Sequence, residues 1–178
     1  EEFKLATLEA DERAVDPVYE LQRELGLAHV PRAIVCVDIS HAQGTDVVAS
    51  AVWFENARPK RSEYRKFKVS VDANNDFQAM HEVVSRFLSR RVAEGKRLPD
   101  LLVIDGGKGQ LAAAGEAVQA LSIPAMALIS LAKRDEEIFL PEQADPVRLP
   151  RRTPALRLLQ QARDEAHRFA VTFQRAKR

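Results

Sequence analysis

Two stretches of the sequence repeat one pattern, a short apolar run that ends in an aspartate. They are residues 33–41 (AIVCVDISH) and residues 101–107 (LLVIDGG). Runs of small and β-branched apolar residues are typical of central strands that are buried on both faces. If the two strands are parallel neighbours, they lie about 5 Å apart. Asp38 and Asp105 would then emerge side by side at the carboxyl edge of the sheet, where open α/β folds place their sites.

Two carboxylates that lie this close repel each other unless a cation lies between them. We therefore predict a metal-dependent site at this edge, and Mg²⁺ and Mn²⁺ are the divalent ions that favour oxygen ligands. The alternative for either aspartate taken singly is a cap on the turn that follows its strand. The recurrence of the pattern favours the metal site.

The rest of the chain predicts a mixed sheet with helices on both faces. Its order of elements is βββαβαβα, which implies five strands. We expect residues 1–30 to be a helical lead-in packed on the domain, and residues 31–178 to form the domain itself. The predicted strands are 33–39, 46–54, 63–70, 101–104 and 125–131, and the predicted helices are 2–13, 17–25, 76–92, 108–121 and 154–175. Residues 138–140 and 147–149 are candidate edge pieces of a hairpin.

Helical periodicity also predicts which side chains of two helices face the core. In the helix of 76–92 the apolar face comprises Phe77, Met80, Val84, Phe87 and Leu88. In the last helix we expect Leu156, Leu159, Ala166, Ala170 and Phe173 to face the core, and Arg163, Asp164, His167 and Arg168 to point away from it.

Composition limits the class of protein. Hydrophobic residues make up 46% of the 178 residues and charged residues 30%, as in a soluble globular domain, and no apolar run approaches the ~18 residues of a membrane span. The single cysteine, Cys36, lies in a predicted central strand and favours the cytoplasm over an oxidising compartment. Because the sequence begins Glu1-Glu2 without a methionine, we expect it to be a piece of a longer protein.

Positive charge is concentrated in two parts of the chain. Residues 148–178 hold nine basic and two acidic side chains, and residues 58–68 hold six basic and one acidic, whereas residues 1–24 hold eight acidic and three basic. Segregated positive charge suits a polyanion such as nucleic acid. The alternative is two solvated basic faces.

Two further features have both a structural and a functional interpretation. Glycines on either side of Lys108 are either a tight strand-to-helix turn or a phosphate-binding turn with Lys108 as the counter-charge. The P-loop spacing is absent. His167 has a structural interpretation, as a histidine packed in the fold. Its functional interpretation is a metal ligand or an acid/base group, with a ring that Asp164 orients. His41, just after Asp38, is a second candidate, with a loop hydrogen bond as its alternative.

Four motifs together resemble one family, the carboxy-terminal nuclease region of UvrC, the incision subunit of bacterial nucleotide excision repair. They are residues 38–41 (DISH), 64–67 (YRKF), 105–110 (DGGKGQ) and 163–169 (RDEAHRF). The resemblance implies an RNase H-like fold with an Asp-Asp-His site that uses Mg²⁺ or Mn²⁺ to cut the damaged strand on the 5′ side of a lesion.

The resemblance also assigns roles to residues. The family's catalytic and metal-binding groups fall on Asp38, Asp105 and His167, and a further catalytic aspartate falls on Asp76, for which helix capping is the alternative. We expect Lys108, Arg163, Arg168, Arg65 and Lys66 to contact DNA phosphates.

The resemblance also implies partners. They are damaged double-stranded DNA and, through parts of the full-length protein outside this chain, the UvrB–DNA complex. The resemblance does not extend to the family's GIY-YIG nuclease, UvrB-contacting segment or helix-hairpin-helix tail, so we expect neither damage recognition nor the second incision here.

Two rival functions remain open at this point. A non-catalytic nucleic-acid-binding domain on the same fold would use only the basic clusters, but it would gain nothing from Asp38 and Asp105. A hydrolase of small phosphate esters would need a closed pocket and has no need of long basic flanks.

Overall fold

Strand β1 (Ala33–His41) lies in the middle of a mixed sheet and pairs on both sides. The computed structural model describes residues 16–41, 47–70 and 75–176, with side chains to residue 172. Strand β2 (Val47–Glu55) is antiparallel to β1, and strand β5 (Leu101–Asp105) is parallel to it on the other side. The two predicted central strands are therefore parallel neighbours.

The remaining strands extend the sheet at both edges. Strands β3 (Arg58–Pro59) and β4 (Arg65–Lys68) both pair with β2, and beyond β5 come β6 (Ala127–Leu131) and the short antiparallel β7 (Ile138–Phe139). The five predicted strands are β1, β2, β4, β5 and β6. The two-residue strand β3 was not predicted, whereas β7 and the antiparallel bridge from Ile138 to Val147 agree with the hairpin expected from 138–140 and 147–149. The third predicted strand is shorter than expected because a 3₁₀ turn precedes it.

The described ranges contain four helices: α1 (Pro17–Leu25), α2 (Asp76–Ala93), α3 (Lys108–Ala120) and α4 (Pro154–Ala176). Helix α4 packs on β1, β2 and α1, whereas α2 and α3 pack against each other. The predicted α/β architecture is thus confirmed. The predicted helix of 2–13 lies outside the described residues, and the division into a lead-in and a domain stays a prediction.

Capping residues set the starts of the helices. Asp16 accepts a hydrogen bond from Val18 N (3.0 Å) and Thr153 Oγ1 accepts one from Leu156 N (3.3 Å). Asn75 caps α2, since its side chain accepts from Gln78 N at 3.0 Å. Gly26 ends α1 in the left-handed region, with φ of 64°, a conformation that only glycine adopts at little cost.

The core lies on both sides of the central strands. Residues 33–37 of β1 and 101–104 of β5 are all buried. Because both faces of these strands are covered, their sequences are continuous apolar runs without alternation. The predicted core residues Leu156, Leu159, Ala166 and Ala170 are buried. No helix in the described part of the chain is long and apolar enough to span a membrane.

Two predictions about side-chain direction were wrong. Phe77 belongs to the first turn of α2, at the margin of the helix layer, and 55% of it is exposed. Arg163 was expected to point away from the core, but its side chain is only 14% exposed because it folds back onto Glu136. The side chain of Phe173 lies outside the described part of the chain.

Candidate active site

Asp38 and Asp105 lie next to each other because of the register of two parallel strands. Val37 of β1 pairs with Ile104 of β5, so the residues that follow are adjacent at the carboxyl edge. Asp38 is 4% exposed and Asp105 is more open to solvent. The central strands thus deliver both carboxylates to one point.

The two carboxyl groups are electrostatically coupled. Burial, a hydrogen bond with Asp38 and the negative charge of Asp38 raise the pKa of Asp105 from 3.8 to about 7, against the opposing effect of Lys133 and Arg163. Near neutral pH the pair therefore tends to hold a proton between its oxygens. Asp38 also accepts a hydrogen bond of 2.8 Å from the hydroxyl of Ser40.

Helix α4 brings His167 to this pair. Its Nδ1 lies 3.4 Å from Oδ2 of Asp38, and 59% of its side chain is exposed. One residue earlier, the carbonyl of Ala166 accepts a hydrogen bond of 2.6 Å from the buried hydroxyl of Ser50 on β2. Since Ser50 is the register partner of Asp38, this bond fixes the turn of α4 that carries His167 to the same part of the sheet.

An open cleft of about 390 Å³ adjoins these residues. Three basic residues, two aspartates and one histidine line it: Lys133, Arg163, Arg168, Asp105, Asp164 and His167. Lys133 was missed by the sequence analysis. It follows β6, which is parallel to β5, so the rule that parallel strands end at the same edge of the sheet could have identified it.

Arg163 forms a bidentate ion pair with Glu136. The two nitrogen–oxygen distances are 2.7 and 3.2 Å, and Asp164 lies 3.7 Å from Nε. Glu136 belongs to a short 3₁₀ segment in which Asp135 and Glu136 both have positive φ, 62° and 52°. A guanidinium held by two parallel bonds keeps a fixed direction, so Glu136 orients Arg163 at the wall of the cleft.

A second ion-pair network forms the other wall. Glu165 accepts two hydrogen bonds from Arg168 (2.6 and 2.9 Å) and one from the hydroxyl of Tyr64 (2.7 Å). The bond to Arg168, acting with Tyr64 against burial, lowers the pKa of Glu165. Glu165 is therefore an anion that anchors Arg168 beside the cleft.

The other predicted phosphate-binding residues lie outside this cleft. Lys66 lies 4.6 Å from the centre of the Phe169 ring, and Arg65 donates hydrogen bonds to the carbonyls of Ser62 and Tyr64. Lys108 lies over the Phe139 ring at 5.5 Å and lines a separate groove on α3.

Asp76 pairs with His41. Oδ1 of Asp76 lies 2.8 Å from Nε2 of His41, and both side chains are 46% exposed. Since Asn75 provides the cap of α2, helix capping does not account for Asp76. His41 makes a hydrogen bond, as its structural interpretation predicted.

The donor atoms present fit a hard divalent cation with few protein ligands. Within residues 16–41, 47–70 and 75–176, no three His, Cys, Asp or Glu side chains converge as a ligand cluster. The adjacent oxygens of Asp38 and Asp105 nevertheless provide the donor type that Mg²⁺ and Mn²⁺ prefer, and Mg²⁺ retains several waters in such sites. A two-carboxylate site completed by water therefore fits the residues better than a cage of three side chains.

Comparison with known proteins identifies a family. Residues 22–171 match the family model of the UvrC RNase H endonuclease domain. The chain is 74% identical to UvrABC system protein C of Gemmatimonas aurantiaca over 100% of its own length, and 50% identical to that of Chlorobium chlorochromatii over 87%. It spans 29% and 25% of the lengths of these two relatives.

A solved structure shares the fold. The chain is similar to endonuclease V of Ciona intestinalis, which was crystallised with a 23mer DNA containing an inosine followed by a ribo-adenosine. The TM-score is 0.52 at 9% identity, with 100% of each chain covered. At this identity the likeness concerns the fold alone.

Proposed function

Because the chain belongs to the family of UvrC RNase H endonuclease domains, we propose that it is a metal-dependent endodeoxyribonuclease that makes the 5′ incision next to a lesion in bacterial nucleotide excision repair. The observation that carries the proposal is the adjacent pair Asp38 and Asp105, in which burial, together with the hydrogen bond and the charge of Asp38, raises the pKa of Asp105 to about 7. A bound Mg²⁺ or Mn²⁺ would relieve the repulsion within this pair.

Asp38 and Asp105 would hold the metal, with His167 as a further candidate ligand. When bound, such an ion lowers the pKa of a coordinated water and neutralises charge on a phosphate oxygen. The alternative role of His167 is to move a proton, and its exposed ring, with Nδ1 at 3.4 Å from Asp38, supports this role. General acid–base catalysis by a histidine is effective near neutral pH.

Cations at the cleft would stabilise the negative charge that develops on the phosphorane. Lys133 and Arg163 are close enough to Asp105 to lower its pKa, so their charge reaches the reacting centre. Arg163 is already oriented by Glu136, and a preoriented charge requires no rearrangement during the reaction. Arg168 lines the same cleft.

The proposed substrate is damaged double-stranded DNA, presented in complex with UvrB through parts of the full-length protein outside this chain. The two basic segments would bind phosphates, which fix position on the duplex but carry no sequence information. Because bacterial chromosomal DNA lies in the cytoplasm, the same proposal assigns the chain to that compartment.

Substituting each carboxylate tests the proposal. Asp38→Asn and Asp105→Asn, introduced into the full-length protein, should abolish nicking of a damaged duplex when the other components of the UvrABC system are supplied. Asp145→Asn, an exposed aspartate outside the cleft, is the matched control. Binding of Mn²⁺ to the chain, followed by electron paramagnetic resonance, provides a second measurement.

The outcomes separate the competing functions. Nicking at the wild-type rate by either Asn variant contradicts the catalytic assignment, and unchanged Mn²⁺ binding by both contradicts the metal site. A chain that binds DNA but neither binds Mn²⁺ nor nicks in the complete system would instead be a non-catalytic nucleic-acid-binding domain.

A further inference from the structure

A second groove runs along the exposed side of α4 and is continuous with the active-site cleft. It has a volume of about 660 Å³. Asp164 and Arg168 line both the groove and the cleft. The remaining lining residues come from the segment after β2 and from the first half of α4: Pro59, Arg61, Arg157, Gln160, Gln161 and Glu165.

The fold therefore joins the two basic segments of the sequence. Arg61 lies in the cluster 58–68 and Arg157 in the cluster 148–178, and they line one groove although 96 positions separate them. The antiparallel pairing of β4 with β2, and the packing of α4 across β2, bring the two segments together.

The cations of the groove differ in whether they are already paired. Arg168 is bound to Glu165. Arg61 and Arg157 are exposed, and neither forms a salt bridge or side-chain hydrogen bond with another residue of the described ranges. The amides of Gln160 and Gln161 also have no such bond there. Among the described residues, the groove thus presents two unpaired guanidinium groups and two unpaired amides.

We propose that this groove binds the sugar–phosphate backbone of the strand that is cut, on one side of the scissile phosphate, with Arg61 and Arg157 each contacting a phosphate and Gln160 and Gln161 donating to neighbouring oxygens. The inference rests on the proposed nuclease function. Guanidinium groups bind phosphate oxygens in a bidentate manner, and amide side chains commonly supplement such contacts.

Continuity with the cleft favours a substrate strand over an acidic protein partner. A strand whose phosphate lies at Asp105 must leave the cleft along a surface that neutralises its charge. The groove shares Arg168 with the cleft and continues directly to the arginines Arg61 and Arg157. Asp164 and Glu165 repel an anion, but Glu165 is paired with Arg168 and also lies within reach of the charge of Arg61. Three arginines against two carboxylates leave the lining with one positive charge in excess.

The test is the double variant Arg61→Gln/Arg157→Gln of this chain. Its binding to a fluorescein-labelled duplex is measured by anisotropy across a salt series in EDTA, so that no metal is needed. At low salt we expect Kd to rise roughly tenfold. The slope of log K against log salt should become shallower by roughly 0.7 to 0.9 for each phosphate that the variant no longer neutralises.

Two matched pairs of substitutions serve as controls. Arg23→Gln/Arg90→Gln removes the same charge from exposed arginines that line neither the groove nor the cleft, and it should change Kd less than twofold. Arg61→Lys/Arg157→Lys keeps the charge and should retain the salt slope. In the full-length protein with the rest of the UvrABC system, the Gln double variant should nick with a raised KM.

The possible failures are distinguishable. Suppose that the wild type binds and nicks DNA, and that the Arg61→Gln/Arg157→Gln and Arg23→Gln/Arg90→Gln variants have equal Kd and equal salt slope. This result contradicts the proposed role of the groove and leaves the proposed nuclease function standing. Absence of both DNA binding and nicking in the wild type overturns the proposed function and the groove with it. A groove variant that binds DNA normally but no longer binds an acidic protein partner would assign the surface to that partner and also overturn the inference.

Discussion

The imidazole of His41 lies 2.8 Å from a carboxylate oxygen of Asp76 and so joins the end of β1 to the first turn of α2. This pair lies three residues beyond Asp38 along β1, on the strand that delivers the catalytic candidate. Because Asn75 supplies the helix cap, Asp76 is not needed to start α2. The capping role and the catalytic role predicted for this position can therefore be tested separately.

The first prediction compares neighbouring residues. Asn75→Ala removes the cap of α2 and should lower the free energy of unfolding by about 1 kcal/mol while leaving nicking intact. Asp76→Asn should change the free energy of unfolding by less than about 1 kcal/mol, because the ion pair with His41 is exposed, but it should reduce nicking. Urea unfolding and a nicking assay in the complete repair system measure both. Full activity of Asp76→Asn would exclude a catalytic role.

The second prediction concerns pH. The pKa of Asp105 is about 7 in the folded chain against 3.8 as the ordinary value, so between these pH values the folded state keeps a proton that the unfolded state releases. The contribution of Asp105 to the free energy of unfolding therefore falls as the pH rises through this window. Between pH 4 and pH 8, the decrease in the free energy of unfolding should be smaller in Asp105→Asn than in the wild type by at least about 1 kcal/mol.

Urea unfolding of the wild type and Asp105→Asn at pH 4 and pH 8, in EDTA, measures this difference. Adding Mn²⁺ at pH 8 should then stabilise the wild type more than the variant, because the ion replaces the proton between the carboxylates. Parallel pH profiles for the two proteins would show that the two carboxyl groups do not interact as described.

The third prediction concerns His167. Its side chain is 59% exposed, so His167→Ala should alter the free energy of unfolding by no more than about 0.5 kcal/mol, as is usual for surface positions. Nicking should be lost, whereas His29→Ala, at an exposed histidine far along the sequence, should leave it intact. A His167→Ala protein that is destabilised by about one or two kcal/mol yet remains active would indicate a structural histidine.

The fourth prediction concerns what the chain recognises by itself. Phosphate contacts alone should give weak binding that depends steeply on salt and is nearly indifferent to sequence or lesion. Titration of lesion-containing and undamaged duplexes at several salt concentrations measures this. With Mn²⁺ and low salt, the chain alone should nick slowly and without specificity, or not at all. A tenfold or greater preference for the lesion would show that damage recognition resides in this chain.

The central part of the fold was predictable because its signals are local. The apolar runs of β1 and β5 both end in aspartates. That these strands are parallel neighbours was assumed from the sequence, and the observed pairing confirms it. The position of α4 near these residues was not specified by any local pattern. It results from the packing of its buried apolar face on β1 and β2, to which the hydrogen bond from Ser50 to the carbonyl of Ala166, between residues 116 positions apart, contributes.

The residues that were mispredicted depend on tertiary contacts. Helical periodicity predicts that Arg163 is a surface residue. The left-handed backbone at Asp135 and Glu136 directs the carboxylate of Glu136 toward it. Phe77 reads as a core residue, yet its ring lies outside the sheet against Gly109, where a Cβ atom would be 2.5 Å from Cζ. The sequence 74–76 offers three possible caps for α2, and only the backbone geometry selects Asn75.

The hydrogen bond between Ser50 and Ala166 joins the last helix of the described chain to a strand that is synthesised much earlier. The carboxylate pair is supplied by strands that are made early, but the histidine arrives on a helix that is made after the strands of the sheet. A nascent or partly unfolded molecule can therefore display the two aspartates without the third group. The proposed site is therefore complete only when α4 has packed against β1 and β2.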